Sequence, residues 1–323
     1  MSLISKLQPL FIIGAALLGI AAGYTTGFGE ISVHLIEPFL MVLLYFVFLS
    51  VDGKKLKEAF KNVRFTATAV LTNFIWTPLF AFVLGLLFFR GSTDMQIGLM
   101  MLLATPCTDW YLVFTALSKG NVALGASILP LNLLLQILLL PVYLMVFYGG
   151  SVSIAGGSVL LSIVIVLIIP FGLSMLTKRI GRSRESAAKK IDWLKEQGDN
   201  AQLLFLCLAV LSMFASESRS MLEHPAMFLR MLIPLALFFT VNFILVRVIG
   251  RKLRFSEYDL VPLNFTTLAR NSPLALAIAV AAFPDRPLIL LALVIGPLIE
   301  LPVLGIISGV INRLRMRQAA GSR

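Results

Sequence analysis

Apolar runs of about 18 residues or more recur from one end of the chain to the other, and each is long enough to cross the hydrocarbon core of a bilayer. Their polar punctuation predicts ten transmembrane helices, at roughly 9–27, 32–51, 65–89, 96–117, 121–148, 153–177, 201–217, 226–249, 260–283 and 287–312. The longest polar segment, Lys178 to Asn200, is a loop of 23 residues, so no stretch is left over for a separate soluble domain. The expected fold is an all-α polytopic membrane protein, with the bilayer as its solvent. Lys6 followed by Leu10–Ala22 imitates a signal peptide, but the repeat described below uses that segment as its first helix.

Composition agrees with this reading. Of 323 residues, 59% are hydrophobic and 13% charged, fewer charges than a soluble domain of this length exposes. A formal charge of +11 would suggest a nucleic-acid partner in a soluble protein. The placement of the charges argues otherwise, because 22 of the 27 Lys and Arg residues fall on one side of the ten-span arrangement. The opposite side carries Arg90, Arg219, Arg230 and Arg286, and Arg270 lies inside a span. The positive-inside rule makes the rich side cytoplasmic, with both termini there and the chain in the cell membrane. The expected partners are therefore the lipid bilayer and a small-molecule or oxyanion solute, with no nucleic acid and no obligatory protein partner. No cofactor is expected beyond a proton or sodium as coupling ion.

Two further absences narrow the class. His34 and His224 lie in separate loops with no metal-ligand spacing, and no Gly-x-x-x-x-Gly-Lys-[Ser/Thr] loop occurs. The chain reads as a transporter rather than an enzyme, driven by an ion gradient, by the solute's own gradient or through a partner. Cys107 and Cys207 both lie in spans, so no disulfide framework is implied.

An internal repeat organises the spans. Thr105-Pro106 in span 4 and Ser272-Pro273 in span 9 are 167 residues apart, and Pro130-Leu131 and Pro297-Leu298 share that offset. Lys119 maps onto Arg286, while Asn73 and Asn242 are 169 apart. Residues 1–150 form the first five-helix unit and 151–323 the second. With five spans each, the second unit enters the membrane from the opposite side. Inverted repeats place solute sites near the midplane, at helices broken in corresponding positions. Pro106 and Pro273 are the corresponding breaks, and they predict that helices 4 and 9 are discontinuous and cross. Spans 3–5 and 8–10 would form a core bundle and spans 1, 2, 6 and 7 a panel. Gly19-Ile-Ala-Ala-Gly23 has the small-residue spacing that lets helices approach closely.

Ionisable residues inside a membrane are costly and mark function. Asp109, Arg270 and Glu300 lie well within spans, each three residues from a landmark proline; Glu37 lies near the end of one. Thr108, Asn132, Gln136, Asn271 and Ser272 surround them in sequence. Two readings stand. In one, Glu300 and Asp109 carry protons or ligate sodium, with Arg270 meeting an anion. In the other, Arg270 forms an internal salt bridge with Asp109 or Glu300. A carboxylate in a low-dielectric site can take up and release a proton near neutral pH. Cys107 directly follows a break proline, where a helix N-terminus favours the thiolate, a soft ligand suited to a thiophilic solute.

Three segments carry a resemblance. Pro106–Gly120 (Pro-Cys-Thr-Asp-Trp-Tyr-Leu-Val-Phe-Thr-Ala-Leu-Ser-Lys-Gly), the Asn132-x-x-x-Gln136 spacing, and Gly296-Pro-Leu-Ile-Glu300-Leu-Pro-Val-Leu304 resemble spans 4, 5 and 10 of the arsenite efflux permeases in the bile acid/arsenite transporter superfamily. Leu276–Ala281 also fits, and the ten-span layout extends the likeness over essentially the whole chain. The resemblance implies arsenite efflux coupled to proton influx, with Cys107 binding As(III) as thiolate and Glu300 in ion coupling. Taken with the residues themselves, the expected solute set is Cys107, Thr108, Asn132, Gln136, Arg270, Asn271 and Ser272 and the ion set Glu300 and Asp109; of these the resemblance implies roles for Cys107 and Glu300, whereas Arg270 and Asp109 depart from the family pattern. Where the family has an Asn-Asn-Phe-Glu run in span 9, this chain has Arg270-Asn-Ser-Pro-Leu-Ala275. That departure keeps a sodium-coupled organic-anion symporter, as in the bile acid branch, in view, and a membrane sensor or enzyme stands as the remote alternative.

Overall fold

A computed structural model describes residues 3–50, 61–107, 110–149, 168–180, 193–194, 197–216, 218–219, 225–283 and 285–321. Thr108 and Asp109, the loop residues Lys54, Lys55 and Lys57, His224 and the first part of predicted span 6 lie outside the described residues. The helices are α1 (Leu3–Thr25), α2 (Phe28–Ser50), α3 (Val63–Phe88), α4 (Thr93–Leu103), α5 (Trp110–Leu117) and α6 (Val122–Tyr148). They continue with α7 (168–180), α8 (Gly198–Ser216), α9 (Pro225–Lys252), α10 (Glu257–Leu268), α11 (Ser272–Ala282) and α12 (Pro287–Gly321). Among the described residues, four apolar stretches are long enough to cross a membrane unaided: Phe28–Phe46, Val63–Phe88, Val122–Tyr148 and Leu229–Lys252. The segments predicted as spans 4 and 9 are each two shorter helices, α4 with α5 and α10 with α11.

Two details differ from the pattern reading. The predicted third span contains a π-helical turn at Thr72–Trp76; such turns insert a residue without ending the helix and are invisible to hydrophobic periodicity. The last helix runs to Gly321, beyond the predicted limit near 312, because its polar end is still helical. Pro130 and Pro141 lie inside α6 without interrupting it, so a proline in a span is not by itself a break.

The chain divides into two compact units. One comprises Met1–Val51, Ser153–Met227 and Pro273–Val294. Within it α8 packs on both α1 and α2. Gly19 and Gly23 are where α1 meets α8: a Cβ on Gly19 would strike the Leu211 carbonyl oxygen, and one on Gly23 the Ala215 carbonyl oxygen. Phe39 and Phe46 meet Phe205 with ring centroids 6.2 and 6.5 Å apart. Lys178 Nζ donates to the Phe48 carbonyl at 2.8 Å.

The second unit comprises Asp52–Val152, Phe228–Ser272 and Ile295–Arg323. Asn62, Asn121 and Ser256 cap α3, α6 and α10 by accepting from the N–H groups of Phe65, Leu124 and Asp259, which satisfies donors that a helix start leaves open. Phe65, Ala69, Ile128, Leu131, Val246, Leu260 and Leu263 form a buried cluster from α3, α6, α9 and α10. Arg247 and Glu257 form an ion pair at 2.9 Å where α9 turns into α10.

Because a backbone carbonyl cannot move aside as a side chain can, Gly23→Ala is expected to force α1 off α8 at a cost of about 1–3 kcal/mol. A lowered melting midpoint of the purified protein in detergent checks this, with Gly14→Ala, where a Cβ meets nothing, as the neutral control.

Candidate functional site

Everything notable in the second unit converges on two chain breaks. Helix α4 stops at Leu103, and Thr105 folds its hydroxyl back onto the Met101 carbonyl at 2.9 Å. Pro106 then removes a donor. Helix α10 stops at Leu268, and Ala269 is extended (φ −73°, ψ 137°). The two non-helical stretches pair antiparallel, with Pro106 opposite Arg270. Cys107 N–H donates to the Ala269 carbonyl at 2.9 Å, and Asn271 N–H donates to the Thr105 carbonyl at 2.7 Å. Each break thus supplies the partners that the other has lost, as polar backbone inside a bilayer requires.

Arg270 sits at this crossing with only 2% of its surface exposed. Its guanidinium donates to four neutral oxygens. Nη1 donates to the Leu103 carbonyl at 2.8 Å, and Nε donates to the Leu268 carbonyl at 3.2 Å. Nη2 donates to Asn73 Oδ1 at 3.1 Å and to the Thr266 carbonyl at 3.3 Å. Three of these acceptors lie in the final turns of α4 and α10, where carbonyls have no helical partner and the helix dipole is negative. The Phe238 ring lies 5.2 Å from Cζ, close enough for a cation–π contact.

Glu300, on α12, is 3% exposed, and its Oε1 accepts the backbone N–H of Arg270 at 2.9 Å. Glu300 meets the main chain of Arg270 rather than its guanidinium, and the guanidinium spends its donors on the protein. Asp109 lies outside the described residues. One turn before Glu300, Gly296 lets α12 reach the crossing: its absent Cβ would overlap Leu102 Cδ1 and come within 2.7 Å of Ser272 Oγ.

The remaining expected residues divide in two. Cys107 is buried, as are Asn271 and Ser272, and all three belong to the paired stretches or directly adjoin them. Asn132 and Gln136, one turn apart on α6, are fully buried. Asn132 Nδ2 donates to Thr266 Oγ1 at 2.9 Å, but Asn132 Oδ1 and both amide atoms of Gln136 have no protein partner. Ser272 Oγ and Asn264 Oδ1 are likewise buried and unpartnered. Unpaired buried polar atoms are expensive, and this group supplies both donors and acceptors. Of the break residues, Pro273 is the second residue of α11. Among the described residues no group of three or more His, Cys, Asp and Glu could hold a metal ion.

Sequence reasoning missed three residues that build the crossing: Asn73, Thr266 and Phe238. Asn73 was visible only as a repeat landmark. The π-helical turn sets it so that Nδ2 donates to the Thr266 carbonyl at 3.2 Å while Oδ1 accepts from Arg270. Asn242, 169 residues further on, accepts from Trp76 Nε1 at 2.7 Å. Polar residues in spans 3 and 8 at matching offsets were the available signal.

Broken, crossed helices around buried polar groups are the architecture of a solute carrier, and the sequence matches a family model for the Sodium Bile acid symporter family over residues 37–253. The chain belongs to that family. This family member is therefore a multi-pass membrane transporter. It is 25% identical to the arsenical-resistance protein Acr3 of Corynebacterium glutamicum, over 94% of this chain and 87% of that protein. It is 23% identical to the arsenical-resistance protein Acr3 of Alkaliphilus metalliredigens, over 85% of this chain and 80% of that one. A shorter match, 24% identical over 47% of each chain, is to the uncharacterized sodium-dependent transporter YocS of Bacillus subtilis.

Asn73→Leu is expected to strand one guanidinium N–H and to cost about 1.5–3 kcal/mol. Thermal unfolding in detergent reads that loss, and an unchanged midpoint would contradict the bonding described for Arg270.

Proposed function

We propose that this transporter exports arsenite and is driven by proton influx. The observation that supports this most directly is Cys107, buried immediately after Pro106 with its backbone N–H held across the crossing by Ala269. It sits in a chain whose long matches include two proteins named for arsenical resistance. Arsenite is a neutral trihydroxide at physiological pH. A solute of that kind calls for a thiol to take the arsenic and for mixed donors and acceptors to take its hydroxyls. Asn132 Oδ1, both ends of the Gln136 amide and Ser272 Oγ are buried and unpartnered, which suits the second requirement. Thr108 and Asn271 complete the proposed solute set.

In this reading Glu300 carries the coupling proton, with Asp109 as its partner in the relay. A neutral Glu300 would still hold the Arg270 N–H through its carbonyl oxygen, so protonation need not dismantle the crossing. The transporter spans the cell membrane ten times as two inverted repeats, with both termini cytoplasmic. Spans 3–5 and 8–10 act as the core and spans 1, 2, 6 and 7 as the panel of an alternating-access cycle.

A sodium-coupled symporter of a small organic anion is the second reading, favoured by the family's name and by the match to YocS. It needs a free positive group for the anion. The guanidinium of Arg270, with hydrogen bonds already running to four protein oxygens, fits that role poorly.

Uptake of arsenite into inverted membrane vesicles, with proton and sodium gradients imposed separately, tests the proposal. Proton-driven uptake is expected, falling at least about tenfold in Cys107→Ser while folded protein is retained; a tenfold change corresponds to roughly 1.4 kcal/mol. Sodium-driven uptake of an organic anion without arsenite movement would replace the first reading by the second. For Glu300→Gln, loss of gradient dependence is expected in proteoliposomes, with solute-driven exchange persisting. Unchanged dependence on the proton gradient would remove Glu300 from coupling.

A further inference from the structure

Breaking a membrane helix turns its freed carbonyls toward a cation, and carriers commonly use unwound carbonyls and half-helix C-terminal ends to hold a coupling ion. At this crossing the C-terminal ends of α4 and α10 converge, with the carbonyls of Leu103, Thr266 and Leu268 and the amide oxygen of Asn73 all gathered around one guanidinium. Every oxygen in that shell is uncharged. Hard neutral oxygens, mostly backbone carbonyls, are what alkali-cation sites are made of. The point they surround is occupied by a covalently attached cation, the guanidinium of Arg270, at donor–acceptor distances of 2.8 to 3.3 Å.

We propose that Arg270 is a resident cation filling an alkali-cation site at the helix crossing, so that no mobile sodium or potassium binds there and removal of the side chain uncovers a latent monovalent-cation site. The chemistry of the residue supports this in three ways. Arg stays charged at every pH the protein meets and is less strongly hydrated than an ammonium, so it suits a dry oxygen shell. Four of its five N–H groups are bonded to that shell, and the face of Phe238 covers the planar group at 5.2 Å. The four oxygens that accept from the guanidinium are all neutral, so a mobile cation would have to compete for them with a charge already in place. A mobile ion could bind and leave during a cycle; a tethered one makes the charge at the crossing permanent. The variable charge at the crossing is then left to Glu300, which bonds the backbone N–H of the same residue at 2.9 Å. The inference concerns the cation at the crossing and stands whether arsenite or another solute is carried.

The test is a melting-midpoint measurement on the purified full chain in detergent, with sodium, potassium or choline chloride exchanged at constant ionic strength. A ligand that binds only the folded state raises the midpoint. For the unsubstituted protein the same midpoint is expected in all three salts. Arg270→Ala is expected to melt several degrees lower in choline and to recover part of that loss in sodium or potassium. Millimolar guanidinium should also restore it, whereas equal urea should not. Stabilisation of the unsubstituted protein by sodium over choline, abolished in Arg270→Ala, would overturn the proposal. So would a folded Arg270→Ala indifferent to sodium, potassium and guanidinium. If that variant does not fold in any salt, Arg270→Lys decides: a tethered ammonium should fold and be indifferent to sodium, and a sodium-responsive Lys variant would contradict the idea. None of these readouts depends on transport, so a failed arsenite assay and a failed cation assay are separate results.

Discussion

A polar backbone cannot be left unpaired in hydrocarbon, and the second unit satisfies that constraint at its most exposed point by pairing two broken helices with each other. The hydrogen bonds Cys107 N–H to Ala269 and Asn271 N–H to Thr105 allow both helices to stop without stranding donors. Stopping them, however, aims the carbonyl ends of α4 and α10 at the same small volume. Two negative helix termini side by side call for positive charge, and Arg270 supplies it from within one of the breaks. The π-helical turn of α3 brings in Asn73, and Gly296 brings in α12 with Glu300. The polar residues of the crossing follow from the two interruptions.

The same arrangement explains why these groups suit transport. A crossing held by two backbone hydrogen bonds and one buried arginine is rigid and already charge-balanced. Neighbouring side chains are therefore free to keep unpaired donors and acceptors. Asn132, Gln136 and Ser272 carry such atoms, and in a protein with no solute to bind they would be a liability. Cys107 is fixed through its main chain at the same crossing, its N–H bonded to the Ala269 carbonyl.

Much of this was legible in the sequence, for physical reasons that differ by feature. The apolar runs report the bilayer directly, because they are set by solvent. Pro106 falls in the interruption between α4 and α5, whereas Pro273 is the second residue of α11 and the interruption lies just before it, at Ala269–Asn271; Pro130, equally a proline in a span, lies in a continuous helix, so polar neighbours carried more signal than proline itself. The close approach of α1 to α8 was legible in Gly19 and Gly23, since only a missing Cβ permits it. What could not be read was pairing in space. The guanidinium of Arg270 bonds main-chain carbonyls, and backbone acceptors leave no mark in composition. Asn73 looked like a repeat landmark because a π-helical turn has no residue code. Glu300 was recognised as important, but that its carboxylate would bond a main-chain N–H depends on a helix end that only the fold defines.

The central claim is that the crossing of the broken helices is where the solute binds, and the two cysteines of the chain make that directly measurable. With Cys207→Ser, the thiol left to label is Cys107. Its rate of alkylation by a small maleimide can be followed in membranes with and without arsenite. The expected result is protection: arsenite slows labelling in a concentration-dependent way that saturates over the range in which transport saturates. Labelling at an unchanged rate under saturating arsenite would contradict solute binding at the crossing.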